Sequence, residues 1–274
     1  MSRRRELQAR IAGLSEISAI LGAMKGLALV ELRRVGELID AQRESVQEIG
    51  TALADVLQFH RAALRLPEPP YVEVCCVVGA ERGFCGDFNA RISQAAVAHL
   101  ADAAAEHIIL VGDKLADGWP AAAQATTRVR APSVADEVPA VLTGLLAAIN
   151  ALAAGHADRS LRLVVLHHGA DGIQSRQLLP LPEPPPLPSI PVFPPRLYLQ
   201  PADCLAALTD HYLYALLHAL LYESLLEENR RRLEHMDLAR HRLDEQLVAL
   251  QRRENQERQE EIIEEIEVIL LTAS

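Results

Sequence analysis

The segment Gly79–Asn89 (G-A-E-R-G-F-C-G-D-F-N) holds the residues of this chain best suited to chemistry. It follows a candidate strand and precedes a candidate helix, the place where a dinucleotide fold seats a phosphate on a helix N-terminus. The spacing does not fit. Neither G-x-G-x-x-G nor G-x-x-x-x-G-K-[ST] can be read there, and the carboxylates of Glu81 and Asp87 would repel a phosphate. Cys85 is a candidate nucleophile and His167 and His168 are candidate bases, but no spacing ties them together. The two histidines read more readily as strand-end residues than as metal ligands. There is no H-E-x-x-H and no carboxylate pair at a catalytic spacing. Of the four cysteines none is in a C-x-x-C, and neighbours Cys75 and Cys76 face opposite sides of a strand as small buried residues. That usage suits a reducing cytosol. The expectation is a chain with no catalytic residues, no cofactor and no metal of its own.

Two long amphipathic stretches at opposite ends would have to position whatever the chain does. The first runs from about Ser2, a candidate N-cap, to Leu64, ending by Leu66 before Pro67, Pro69 and Pro70. The second runs from about Pro201 to Thr272. In the first, apolar residues recur at steps of three and four from Leu7 to Val56, and only Ser18, Lys25 and Gln42 break the stripe. So sustained a stripe is a coiled-coil seam. Each helix would be on the order of 90–100 Å long, a projecting rod with a mechanical or interaction role. Gly13, Gly22, Gly26, Gly36 and Gly50 each cost roughly 1 kcal/mol inside a helix, which suggests either places where another backbone or side chain comes close or a loosened rod.

Between them the pattern alternates. Tyr71–Gly79, His107–Gly112 and Leu161–His167 read as strands, and about Phe88–Ala105 and Val138–Ala154 as helices, so a mostly parallel sheet with helices on its faces is expected. Gln177–Pro195 is proline-rich and reads as an extended connector. The fold class is therefore α/β: a long antiparallel coiled coil of the N- and C-terminal helices with a central Rossmann-like domain. The boundaries fall at 1–66, 70–200 and 201–274, and the last helix pairs with the first, so that residues near 5 face its last turns.

Net charge is −10, against a nucleic-acid binder. No signal peptide and no continuous apolar run of about 18 residues are read, so no transmembrane span is expected. In the last helix Glu227–Arg232 and Arg252–Glu261 interrupt the stripe, and a solvated face is the plain reading of such charged stretches. The end, Ile262–Leu271, is apolar on more than one face. One partner helix cannot cover it, so another protein must, or it aggregates.

These residues resemble the gamma subunit of F-type ATP synthases from end to end. The family's I-x-x-A-M-K/E-x-V-A stands here as Ile20–Ala28, with Met24 and Lys25 at its centre. Its loop S-D-R-G-L-C-G-G-x-N stands as Ala80–Asn89, the most specific match. Q-L-L-P is Gln177–Pro180. In the last helix, Arg232 and Met236 fit the R-x-x-x-M step, Asn255, Arg258 and Gln259 fit Y-N-x-x-R-Q, and Ile262–Ile266 fits the I-T-x-E-I close. Glu254, Ile263, Glu31 and Asp237–Arg242 depart from the family pattern, as in a divergent branch such as the N-type ATPases of some bacteria.

The resemblance implies a central-stalk rotor that is not catalytic alone. Its partners would be the alpha and beta subunits as a hexamer, the epsilon subunit and the c-ring, at the cytoplasmic face of a bacterial inner membrane. Met24, Lys25, Arg232, Arg258 and Gln259 would contact beta. Ile262, Ile266, Ile269 and Leu270 would form the tip inside the hexamer sleeve. The competing readings are a coiled-coil adaptor with a Rossmann-like head and, third, an enzyme using the Gly79–Asn89 loop.

Overall fold

The structure is a computed structural model that describes residues 3–61, 68–102, 105–120, 126–181 and 193–272. The elements in order are α1 (Arg3–His60), β1 (Tyr71–Val78), α2 (Phe88–Asp102), β2 (His107–Val111), α3 (Asp113–Asp117), β3 (Thr126–Val129), a 3-10 turn (Ala135–Glu137), α4 (Val138–Gly155), β4 (Ser160–Gly169), β5 (Gly172–Leu179) and α5 (Pro201–Thr272). The chain divides into two compact units, Glu31–Arg231 and Met1–Val30 with Arg232–Ser274. Both long helices contribute to both units.

The larger unit is built on one sheet in the order β3-β2-β1-β4-β5. β1 lies in the middle and is parallel to β2 and β4, while β5 returns antiparallel to β4. Central parallel strands are covered on both faces and so read as unbroken apolar runs. That is why YVEVCCVV, buried along nearly all its length, occupies the centre. On one face Val74, Cys76 and Val78 pack with Leu142 and Leu145 of α4, Val35 and Ile39 of α1, and Leu216 and Leu220 of α5. On the other face Cys75 and Val77 pack with Ile92 and Ala96 of α2. The adjacent cysteines thus alternate sides as their strand position requires, and burial pushes the Cys75 thiol up to about 12.

Two strands escape the apolar-run criterion. β3 (TTRV) is short, polar and at one edge. β5 (GIQSRQLL) forms the opposite edge and takes Gln177–Leu179 out of the expected connector. Both carry polar residues because an edge strand is half solvated. The candidate cap Ser2, the first helix's approach to Leu66, and most of the proline-rich connector lie outside the described residues.

Glu31 departs from the family pattern, and its place in this unit shows what it does. Its carboxylate accepts the backbone N–H of Ala135 at 3.0 Å, closing the 3-10 turn that leads into α4. Arg34 one turn later pairs with Asp136 of the same turn at 2.6 Å.

By length and composition alone, α1, Ala135–Gly155 and α5 are each long and apolar enough to cross a membrane. None of the three contains the continuous apolar run of about 18 residues that the sequence is read to lack. In α4 the apolar side is committed to the sheet, with Val138, Leu142, Leu145 and Ile149 buried.

Candidate functional site

The smaller unit is a pair of helical segments, and its geometry follows from the α1 stripe. Each described position of that stripe within it, from Leu7 to Ala28, is buried or half-buried. Its two polar breaks are bonded across the pair. Ser18 Oγ donates to Asp244 at 3.2 Å, and Lys25 Nζ meets Asp237 at 2.5 Å. At one end Arg4 bonds Glu254 at 2.9 Å and Glu261 at 3.1 Å. Partner numbers fall as α1 numbers rise, so the segments are antiparallel. In the larger unit the third break, Gln42, donates to the carbonyl of Ala215 at 3.1 Å. All three interruptions of the seam are therefore polar contacts with α5.

The charged stretch Arg252–Glu261 carries the seam on by other means. Glu254, Glu257 and Glu261 follow Leu250 at helical spacing, and they meet Arg3 and Arg4. The hydrogen bond from Arg4 comes first among the causes that hold the Glu254 carboxyl below its usual range. The basic start of the chain is thus a seam element, which no apolar pattern reveals.

Glu227–Arg232 is not a solvated face. Glu228 and Asn229 are 2% and 1% exposed and Arg232 is buried. The Asn229 amide donates to the Leu225 carbonyl at 2.9 Å. Burying such groups is tolerated only when they are hydrogen-bonded, so this stretch is a built polar layer.

Because α1 begins opposite Glu254–Glu261, the last turns of α5 extend past it. Residues near 5 therefore face a point before the last turns, not the turns themselves. Ile262, Ile266, Ile269, Leu270 and Leu271 are 46–77% exposed on a continuous helix. The same unit exposes Ile17, Ile20, Leu27 and Val30 on the side of α1 away from the seam. The only trace of these four in the sequence is their off-seam position. Of the residues expected to meet a partner, Met24 is half-buried, Lys25 is paired, Arg232 is buried, and Arg258 and Gln259 are exposed. At Gly13 and Gly26 an added methyl would have nothing within 4 Å, whereas at Gly22 it would lie 3.4 Å from the Arg240 guanidinium. A close approach is therefore found at Gly22 and not at Gly13 or Gly26.

Glu81, in the Gly79–Asn89 loop, reaches out of it to the segments that follow β2 and β3. Glu81 Oε2 accepts the N–H groups of Ala131 at 2.9 Å and Asp113 at 3.1 Å, and Oε1 accepts Arg130 Nε at 3.1 Å. Burial alone would raise its carboxyl, but these donors together hold it below the usual range. Asn89 Oδ1 accepts the Ala80 N–H at 2.8 Å, and Phe88 stacks on His168 with ring centroids 3.8 Å apart. Cys85 is buried in this cluster. His167 and His168 are buried on β4, and desolvation drives His168 down to about 4. The loop is a structural knot joining the ends of β1, β2 and β3. Among the described residues no group of three or more His, Cys, Asp or Glu side chains is placed to hold a metal ion.

A family model described as ATP synthase matches residues 3–274. The chain is 34% identical over 122 residues to the ATP synthase gamma chain of Brucella anthropi, taking in 41% of this chain and 42% of that one. It is 33% identical over 120 residues to the gamma chain of Mesorhizobium japonicum, taking in 40% and 41%. The matches thus span about two fifths of these relatives' length. The fold is similar to a chain of the Euglena gracilis mitochondrial ATP synthase (OSCP/F1/c-ring, rotational state 3), at TM-score 0.59 and 16% identity over 98% of this chain and 93% of that one. It is also similar to a chain of the Tetrahymena thermophila mitochondrial ATP synthase central stalk/c-ring, at TM-score 0.54 and 14% identity over 80% and 99%.

Proposed function

The chain belongs to the ATP synthase gamma-chain family, and from that premise we propose that it is the central-stalk rotor subunit of an F-type ATP synthase or ATPase. The single observation that carries the proposal is the bare apolar end of α5, Ile262–Leu271, which among the described residues extends beyond α1, its helical partner in that unit. An exposed apolar surface of this kind is a protein-binding site. A sleeve formed by three alpha and three beta subunits is the surrounding that covers a helix on all sides.

In this reading residues 1–66 and 201–274 form the shaft, and residues 70–200 form the head that sits with epsilon on the c-ring. Met24, Lys25 and Arg232 meet one level of the beta subunits, and Arg258 and Gln259 meet another. Ile262, Ile266, Ile269 and Leu270 seat in the sleeve. In this reading the subunit is not catalytic by itself, and ATP chemistry belongs to beta. Its work is mechanical. An ion crossing a membrane releases about 2.3 kcal/mol per 100 mV, so several must be summed for each ATP, and a stiff shaft transmits the sum as torque. The assembly sits peripherally on the cytoplasmic face of a bacterial inner membrane.

The test is co-expression with the alpha and beta subunits encoded nearest to this chain, followed by mass and ATPase measurement. A complex of three alpha, three beta and one copy of this chain, with activity that depends on it, is the expected result. Elution of this chain alone as a stable dimer, with no hexamer bound, would replace the rotor with the coiled-coil adaptor.

A further inference from the structure

At the end of the sheet opposite the Glu81 knot, two histidines meet across the fold. His107 begins β2, and His156 caps the C-terminus of α4. Their Nε2 atoms are 3.0 Å apart and both side chains are half-buried, within reach of solvent ions. In neutral rings one Nε2–H donates to the other. The contact also brings two nitrogen ligands within 3.0 Å of each other, so that small rotations of the rings can turn both toward one ion.

We propose that His107 and His156 form a two-histidine site for a divalent transition-metal ion of the Cu2+ or Ni2+ class. Metal–imidazole bonds are about 2.0–2.1 Å for ions of this size. With nitrogens 3.0 Å apart, an ion bound to both sees them at an angle of roughly 90–95°. A tetrahedral ion needs a wider angle, whereas cis positions in a tetragonal site match it, the geometry of Cu2+ and Ni2+. Solvent fills the remaining positions, which is consistent with the lack of a third protein ligand among the described residues. Binding requires the donating ring to move its proton from Nε2 to Nδ1, so no net proton is lost from a neutral pair.

The charge around the pair is balanced. The Glu106 carboxylate, held by Arg159 at 2.6 and 2.9 Å, lies within electrostatic reach of His156. A bound ion would staple the end of α4 to the start of β2, residues that otherwise share only this side-chain contact among the hydrogen bonds described. This site does not depend on the rotor reading, since it lies wholly within the sheet unit.

The experiment titrates the purified full-length chain with Ni2+, following Tm, and with Cu2+, following its electron paramagnetic resonance spectrum. At free Ni2+ about a hundred times the dissociation constant, mass action should raise Tm by roughly 5–10 °C. The Cu2+ spectrum should show two equatorial nitrogens at one ion per chain. His156→Asn, a side chain accepted at helix C-termini, and His107→Phe should each abolish both signals. If His107→Phe does not fold, His156→Asn alone decides. A Tm rise of equal size in His156→Asn, or no rise and no two-nitrogen spectrum in the unaltered chain, would overturn the site.

Discussion

Lys25 and Asp237 pair at 2.5 Å across antiparallel helices, at a position where the seam of α1 otherwise calls for an apolar side chain. The pair lies at the helix surface, with side-chain exposures of 33% and 61%. It therefore contributes alignment more than stability, as a polar residue at a core position of a coiled coil sets register at some cost. The hydrogen bond from Lys25 is the main cause that lowers the Asp237 carboxyl. Asp237→Asn should leave the unfolding midpoint almost unchanged, and what effect there is should vanish in high salt. Lys25→Leu should raise the midpoint. Thermal melts at low and high salt check both.

Glu81 should be far less tolerant. Glu81→Ala leaves the Asp113 and Ala131 N–H groups without their carboxylate partner, at a cost of roughly 1–3 kcal/mol. Glu81→Gln, which keeps an acceptor oxygen, should cost less. The pH sign follows from the lowered folded-state carboxyl. The stabilisation is complete above the unfolded value near 4.5 and is lost as pH falls through the lower folded value. In the alanine variant that acid-side loss should shrink. Chemical denaturation between about pH 3 and 7 measures it.

His168 acts in the same direction from the opposite charge type. Its folded value is about 4 against 6.5, chiefly through desolvation. Between those values the unfolded chain binds more protons than the folded one, so stability rises with pH across the window and falls on acidification. The full effect is roughly 3 kcal/mol. His168→Phe, which can keep the stack on Phe88, should flatten the stability profile between pH 4 and 6.5.

The helix glycines divide by their surroundings. At Gly13 and Gly26 a methyl meets nothing within 4 Å, and Gly13→Ala and Gly26→Ala should each stabilise the chain by about 1 kcal/mol. Gly112→Ala should do the opposite by at least about 2 kcal/mol, because φ is +114° and its methyl would lie 2.7 Å from the Ala80 carbonyl oxygen. Urea melts of the three variants give the comparison.

The proposed seat of the tip is tested by variants that separate folding from coupling. Replacing Ile262, Ile266 and Ile269 by Asp touches side chains that are already exposed, so the chain's own stability should shift by less than about 1 kcal/mol. In the assembled complex, ATP-driven ion pumping should be lost while the hexamer still binds nucleotide. Pumping into sealed vesicles is the measurement, and unchanged coupling would count against the sleeve.

The legible parts of the fold are those written in local periodicity. Steps of three and four from Leu7 to Val56 place the seam, and the run YVEVCCVV places the central strand. β3 and β5 escape that reading because edge strands alternate weakly and carry Thr, Arg, Gln and Ser on their wet side. Glu227–Arg232 is ambiguous in sequence because charge alone does not distinguish a solvated face from a buried polar layer.

By itself, then, the sequence determined the helix pair, the sheet between its arms, the apolar tip and the family, since each is a pattern among near neighbours or a motif. The tertiary structure decided where the polar exceptions go. Only folding brings Glu81 to Ala131, Ser18 to Asp244, Arg4 to Glu254 and His107 to His156. A carboxylate or an imidazole carries no local signal of its partner. Its role is set by which distant backbone or side chain desolvation forces it to satisfy.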